Sequence, residues 1–131
     1  MSRKSKGTNA ERDLTHKFWE HNWAAVRVAG SGSNKYPSPD ILVGKGDRRF
    51  VIECKTSKEK FKYLTKNEVR ELQLFAHIFG AEPRVAIKFN NVPWYFLNIE
   101  QCIEKDASYF VDYELLTAQG LSFDRLIEKN N

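Results

Sequence analysis

The chain has 131 residues, 21 of them lysine or arginine and 17 aspartate or glutamate, for a formal net charge of +4 at pH 7. That length suits one domain, and 41% hydrophobic with 13% aromatic residues supply a packed core, which excludes a disordered chain. The sequence holds no apolar run of about 18 residues for a membrane helix, no apolar stretch of a secretory signal, and only two cysteines, Cys54 and Cys102, in neither a disulfide nor a zinc pattern, so a reducing cytoplasm is the expected location.

Residues 1–7 carry Arg3, Lys4 and Lys6 without an apolar anchor and read as a flexible basic arm. A helix is expected from Thr8, which with Glu11 forms a capping box; Leu14 and Phe18 mark its buried face and Asn22 its end. Residues 23–29 (WAAVRVA) read as a strand, followed by the loop GSGSN and by Pro37 and Pro39, which cannot donate to a ladder. A short strand at residues 40–43, a turn at residues 45–48 and a returning strand at residues 49–56 make a hairpin. Thr65 and Glu68 form a second capping box, opening a helix that Gly80 closes after Phe79. Val69, Leu72, Phe75, Ala76 and Phe79 share one broad face of it. Residues 84–89 and 94–97 are two more strands. From about residue 118 a short C-terminal helix and tail are expected, with Ser122 as the cap. The order predicts an α/β fold with a mixed central sheet flanked by helices.

The hairpin carries the chemistry. In the strand FVIECK, Phe50, Ile52 and Cys54 share one face and Val51, Glu53 and Lys55 the other. Apolar residues on both faces make the strand central, so Glu53 and Lys55 sit where charge is costly. With Gly46 and Asp47 as the turn, Val43 faces Phe50, Ile41 faces Ile52 and Asp40 faces Glu53. Opposed carboxylates repel, and a bridging divalent cation resolves the repulsion. Hard oxygen ligands select Mg²⁺, with Mn²⁺ as a substitute. Lys55, two residues past Glu53 on the same face, can stabilise charge developing on a phosphate or position an attacking water. Glu11 shares a helix face with Leu14 and Phe18; it is either a capping-box residue or a third carboxylate of the site, and the two roles are compatible. Cys54 points away from Glu53 and reads as core. His16, His21 and His77 have no metal or triad spacing.

The pairing of PDILV with FVIECK resembles the PD-(D/E)xK nuclease motif of restriction-endonuclease-like folds. In chain order, RKSKGTNAERDL, VRVAGSGS, PDILVG, FVIECK, VAIKFNNVPWYF and GLSFDRLI are similar to the small archaeal Holliday junction resolvases called Hjc, over essentially the whole chain. The resemblance implies a homodimeric, Mg²⁺-dependent endonuclease that resolves four-way DNA junctions by paired phosphodiester hydrolysis in recombination and repair. It assigns Asp40 and Glu53 as metal-binding carboxylates, Glu11 as the N-terminal acidic residue of the site and Lys55 as the catalytic lysine. It places Arg12 and Arg27 beside the site, and Ser31 in a loop that touches DNA near the cleavage point. It also implies an archaeal or viral source in a prokaryotic host, with no membrane and no small-molecule cofactor.

Phosphate binding needs cations. Arg3, Lys4 and Lys6 on one side of the site residues, and Lys58, Lys60 and Lys62 on the other, are the expected phosphate grip. The loop from Gly30 gives close backbone approach. A two-fold dimer would present two sites to opposed strands of a junction, with Phe75 and Phe79 as the candidate interface. Another nuclease of the same fold, or a DNA-binding module without catalysis, are the alternatives; opposed carboxylates give a pure binding module no advantage.

Overall fold

The structure, a computed structural model, describes residues 3–30 and 35–128, the first four of them by backbone alone. Helix α1 (Arg3–Glu20) leads into β1 (Ala24–Arg27), β2 (Ile41–Lys45), β3 (Arg48–Ser57), β4 (Phe61–Thr65) and α2 (Lys66–Phe79). Then follow β5 (Glu82–Phe89), β6 (Tyr95–Leu97), a 3-10 turn, β7 (Ile103–Glu104), β8 (Ser108–Asp112), α3 (Tyr113–Gln119), β9 (Leu121–Ser122) and α4 (Phe123–Glu128). Among the described residues no helix is long and apolar enough to cross a membrane.

The main sheet has the order β1-β2-β3-β5-β6-β9, and β4, β8 and β7 form a separate smaller sheet. Within the main sheet only β3 and β5 run parallel, joined by a connection that contains α2. Strand β3 is central, as its two apolar faces require. Phe50, Ile52 and Cys54 enter one core cluster, with Leu14 and Phe18 of α1 and Phe123 of α4. Val51 enters the other, with Val69 and Leu72 of α2 and Leu64 and Val111 of the small sheet.

The β2–β3 register is the expected one: Ile41 pairs with Ile52 and Val43 with Phe50. Gly46 holds φ 62 at the first turn position, where a two-residue hairpin of the II′ kind wants glycine. At Asp40 the ladder slips. Its N–H donates to the Ile52 carbonyl at 3.0 Å, although Ile52 is already the partner of Ile41. Asp40 is therefore not simply the next cross-strand partner of Glu53.

Helix α2 matches its expected caps. Thr65 accepts from the Glu68 N–H, Glu68 accepts from the Thr65 N–H, and Gly80 closes the helix at φ 80. Asn22 follows α1 with φ 65. Helix α1, however, begins at Arg3 and not at Thr8, so residues 3–6 are helical backbone and not the arm expected there. Nothing between Arg3 and Thr8 blocks a helix: there is no proline, and Gly7 costs only about 1 kcal/mol relative to alanine. The Thr8–Glu11 spacing imitates a helix start inside a longer helix. At the other end Ser122 caps α4, its hydroxyl accepting the Arg125 N–H at 3.2 Å. Strands β4, β7 and β8 and helix α3 do not follow from the sequence pattern; their short segments mix polar and apolar residues without a clean period.

Candidate active site

The site forms where the start of β2, the outgoing end of β3, α1 and the first turn of α2 converge. Asp40 stands immediately before β2. Its Oδ2 accepts the Cys54 backbone N–H at 2.8 Å, so the side chain takes the place of a ladder carbonyl and is fixed against β3. Glu53 and Lys55 project from β3 on the face opposite Cys54. Cys54 is buried, and burial first, then the negative charge of Asp40, holds its thiol well above the ordinary value, as a core residue requires.

The carboxylates are coupled. Glu53 is raised from 4.5 to about 8, by burial first and then by the charge of Asp40. Glu11 is raised from 4.5 to about 7, again by burial and then by Asp40, against the opposing pull of Arg27. An Arg27 Nη1 lies 3.7 Å from a Glu11 carboxylate oxygen. Glu11 reaches this field from α1 on one side of the sheet, and Glu53 from the other. Among the described residues no three acidic, histidine or cysteine side chains stand close enough together to hold a metal ion. Glu11, Asp40 and Glu53 thus share one electrostatic field without forming a closed ligand shell.

Lys55 brings in a residue that sequence reasoning misses. Its ammonium pairs with a Glu68 carboxylate oxygen and lies 3.8 Å from Glu53 Oε2. Burial works against the charged amine, but the hydrogen bond and charge of Glu68, with Glu53 and Asp40, outweigh it and raise the lysine. Burial would raise Glu68 in turn; the bonds from Lys55 and Thr65 reverse that and lower it. The Thr65–Glu68 spacing is legible as a helix cap. That the same carboxylate also holds Lys55 follows only from packing α2 against β3.

A groove of about 690 Å³ runs along the site, lined among others by Glu11, Lys55, Lys58, Lys62, Lys88 and Asn90. Lys58 and Lys62, expected from sequence, do face it. Lys60 is exposed elsewhere, its ammonium 5.3 Å from the Tyr113 ring centroid. Lys88 and Asn90 carry no sequence signal: Lys88 pairs with Thr56 across the parallel β3–β5 ladder, a register no local pattern reveals. Arg12 is exposed on α1, and Gly30, at φ 69, is exposed at the start of its loop. Ser31 and the side chains of Arg3, Lys4 and Lys6 lie outside the described residues. Phe75 is partly buried against the core, whereas Phe79, expected on the same face, is exposed.

Comparison with known proteins gives the family and the fold. A family model described as archaeal Holliday junction resolvase (Hjc) matches residues 2–131. The crossover junction endodeoxyribonuclease Hjc of Archaeoglobus fulgidus is 42% identical over 83% of this chain and 80% of its own. That of Methanocaldococcus jannaschii is 31% identical over 93% and 86%. The solved structure of Archaeoglobus fulgidus Hjc, a Holliday junction resolvase from an archaeal hyperthermophile, superimposes with a TM-score of 0.85 at 37% identity, covering 92% of this chain and 98% of that one. The central mixed sheet flanked by helices is accordingly a restriction-endonuclease-like fold.

Proposed function

This chain belongs to the archaeal Holliday junction resolvase family, and from that premise we propose how its own residues carry out the reaction. The protein is a Holliday junction endodeoxyribonuclease, a hydrolase of phosphodiester bonds. In our reading Asp40 and Glu53 hold a divalent cation, with Glu11 as the third carboxylate, and the ion is Mg²⁺ with Mn²⁺ as a substitute. The donor set fits: these are hard oxygen ligands, and two carboxylates completed by water and substrate phosphate suffice for Mg²⁺. The observation that carries this reading is geometric: the Asp40 carboxylate is fixed by the Cys54 N–H on the strand that bears Glu53 and Lys55, and burial first, then the charge of Asp40, holds Glu11 and Glu53 above their ordinary values. When bound, the ion supplies Lewis-acid polarisation of the phosphate and an acidified water.

The chain's own groups do the rest. Asp40, held by the Cys54 N–H, presents its carboxylate in a fixed orientation. Lys55, charged and tethered by Glu68, places an ammonium beside Glu53 to stabilise negative charge growing on the scissile phosphate. Lys58, Lys62 and Lys88 along the groove grip the backbone without reading sequence. We assign Arg12, Arg27 and Gly30 to DNA binding as well, and with them Arg3, Lys4, Lys6 and Ser31 on the sequence and its family resemblance alone.

We also propose a homodimer. Two-fold symmetry would set one site on each of two opposed strands. Helix α2 supports it: Leu74, Ile78 and Phe79 are 48%, 75% and 49% exposed, an apolar strip next to Phe75. A strip of that kind marks an interaction surface.

One gel tests the reading. A four-way junction and a linear duplex of the same sequence are incubated with the chain, with and without Mg²⁺. Paired nicks in the junction alone, and only with the cation, are expected. Equal cleavage of both DNAs would leave a nuclease of this fold with a different substrate.

A further inference from the structure

The small sheet buries one face and leaves the other open. Leu64 of β4 and Val111 of β8 point into the core and are essentially inaccessible. Strand alternation turns Phe61 and Tyr63 outward, and the ladder brings Phe110 opposite Tyr63 and Ile103 opposite Phe110. Phe61, Tyr63 and Ile103 are 44%, 49% and 44% exposed. The Phe61 and Phe110 rings stack at 6.2 Å and 27°, and Tyr63 tilts against Phe110 at 5.0 Å. A cluster of aromatic rings left in water at a sheet surface is characteristic of a binding face.

Two observations identify what binds. The first is continuity: Phe61 and Tyr63 line the same groove as Glu11 and Lys55. The second is charge. Lys58, Lys62 and Lys88 line that groove, and Lys105 places its ammonium 5.4 Å from the Phe110 centroid. Protein interfaces are depleted in lysine, whereas exposed rings among lysines are how proteins hold unpaired nucleotides: the cations follow the backbone and the rings stack on bases.

We propose that Phe61, Tyr63 and Phe110 form a stacking platform for bases that open at the branch point of the DNA junction, next to the scissile phosphate. This rests on the junction-nuclease reading. Bases at a crossover lack a continuous stack, so unstacking them costs less than inside a duplex. The platform offsets that cost, and a linear duplex offers no opened base to use it.

The test uses the full chain without divalent cation, so that the DNA stays intact. The probes are a junction with 2-aminopurine at the branch point, a linear duplex of the same arm sequence, and a 2-aminopurine single strand. Wild-type chain is expected to change the fluorescence of the junction and of the single strand. Phe61→Leu and Tyr63→Leu, which keep an apolar side chain in the sheet, are expected to lose most of that change. They should lose about tenfold in affinity for both DNAs, the scale of one base–aromatic stack. Duplex affinity and melting temperature should be unchanged. Variants that keep wild-type fluorescence and affinity overturn the platform. Equal weakening on junction and duplex also overturns it, since the patch is then part of the phosphate grip. So does intact DNA binding with an altered sedimentation coefficient, which marks a protein contact. A wild-type chain that binds junction and duplex alike rejects the junction reading instead, and the single-stranded probe alone then decides the platform.

Discussion

Glu68 holds Lys55 with one carboxylate oxygen and caps α2 with the other, accepting the Thr65 N–H at 2.8 Å. A structural feature of one helix thereby sets the position of a side chain on the neighbouring strand. Glu68→Gln keeps an oxygen for the cap and removes the charge. We expect a fall in single-turnover cleavage rate of about tenfold or more, the scale of a lost charge-assisted contact, with junction affinity unchanged. Glu68→Asp, which keeps the charge but shortens the reach, should recover part of the rate. Weakened binding with an unchanged rate would show that Glu68 serves the groove and not Lys55.

Asp40→Asn separates chemistry from folding. The amide oxygen can still accept the Cys54 N–H, so the local structure should persist. Losing the negative charge removes the repulsion felt by Glu11 and Glu53. The variant should lose about a hundredfold or more in cleavage, keep junction binding, and melt no lower than wild type in the absence of metal. Normal cleavage would remove Asp40 from the site.

Stability of the metal-free chain should fall as pH rises. Glu11 and Glu53 ionise at about 7 and about 8 in the folded chain against an ordinary 4.5. A carboxylate whose folded value is raised stabilises the fold fully below about 4.5 and loses that contribution as pH climbs through about 7 and about 8. Thermal melts in EDTA between pH 5 and pH 8 should show the decline, and Glu53→Gln should flatten it. Added Mg²⁺ should raise the melting temperature more at pH 8 than at pH 5, because it binds the ionised form.

Arg48 fastens the C-terminal helix. Its two Nη atoms donate to the carbonyls of Ile127 and Leu126 at 2.8 and 2.9 Å, and its guanidinium lies 5.1 Å from the Trp23 centroid. Arg48→Met keeps the stem and deletes both bonds and the charge. Urea denaturation should show a loss of about 1–3 kcal/mol, with little change in cleavage at low temperature.

Ile78→Glu tests the dimer. Ile78 is 75% exposed on α2, so the substitution costs the single chain little. Sedimentation should report a monomer, and the junction should be nicked on one strand at a time. An unchanged dimer would move the interface off this helix.

Much of the fold is legible in the sequence, for local reasons. The cap of α2 and its closing glycine depend on residues within a few positions of one another. So does the register of the β2–β3 hairpin, since a two-residue turn and alternating apolar residues leave one pairing that buries Ile41, Val43, Phe50 and Ile52. Glu53 and Lys55 come with that register, because strand parity places them; Asp40 lies where the ladder slips, and the Cys54 N–H sets its carboxylate. The start of α1 escapes the same logic because a capping-box spacing recurs by chance inside a helix.

The sequence by itself determined the hairpin, Glu53 on it and the lysine beside that carboxylate: each is a consequence of neighbours in the chain and of the two-residue period of a strand. Tertiary structure decided the rest. It brought Glu68 onto Lys55, set Lys88 beside the outgoing end of β3, coupled Glu11 to Asp40 from the other side of the sheet, and left Phe61, Tyr63 and Phe110 on an open face. Those relations join segments far apart in sequence. Local periodicity says which face of each element is apolar; only packing says which element that face meets and which one stays uncovered.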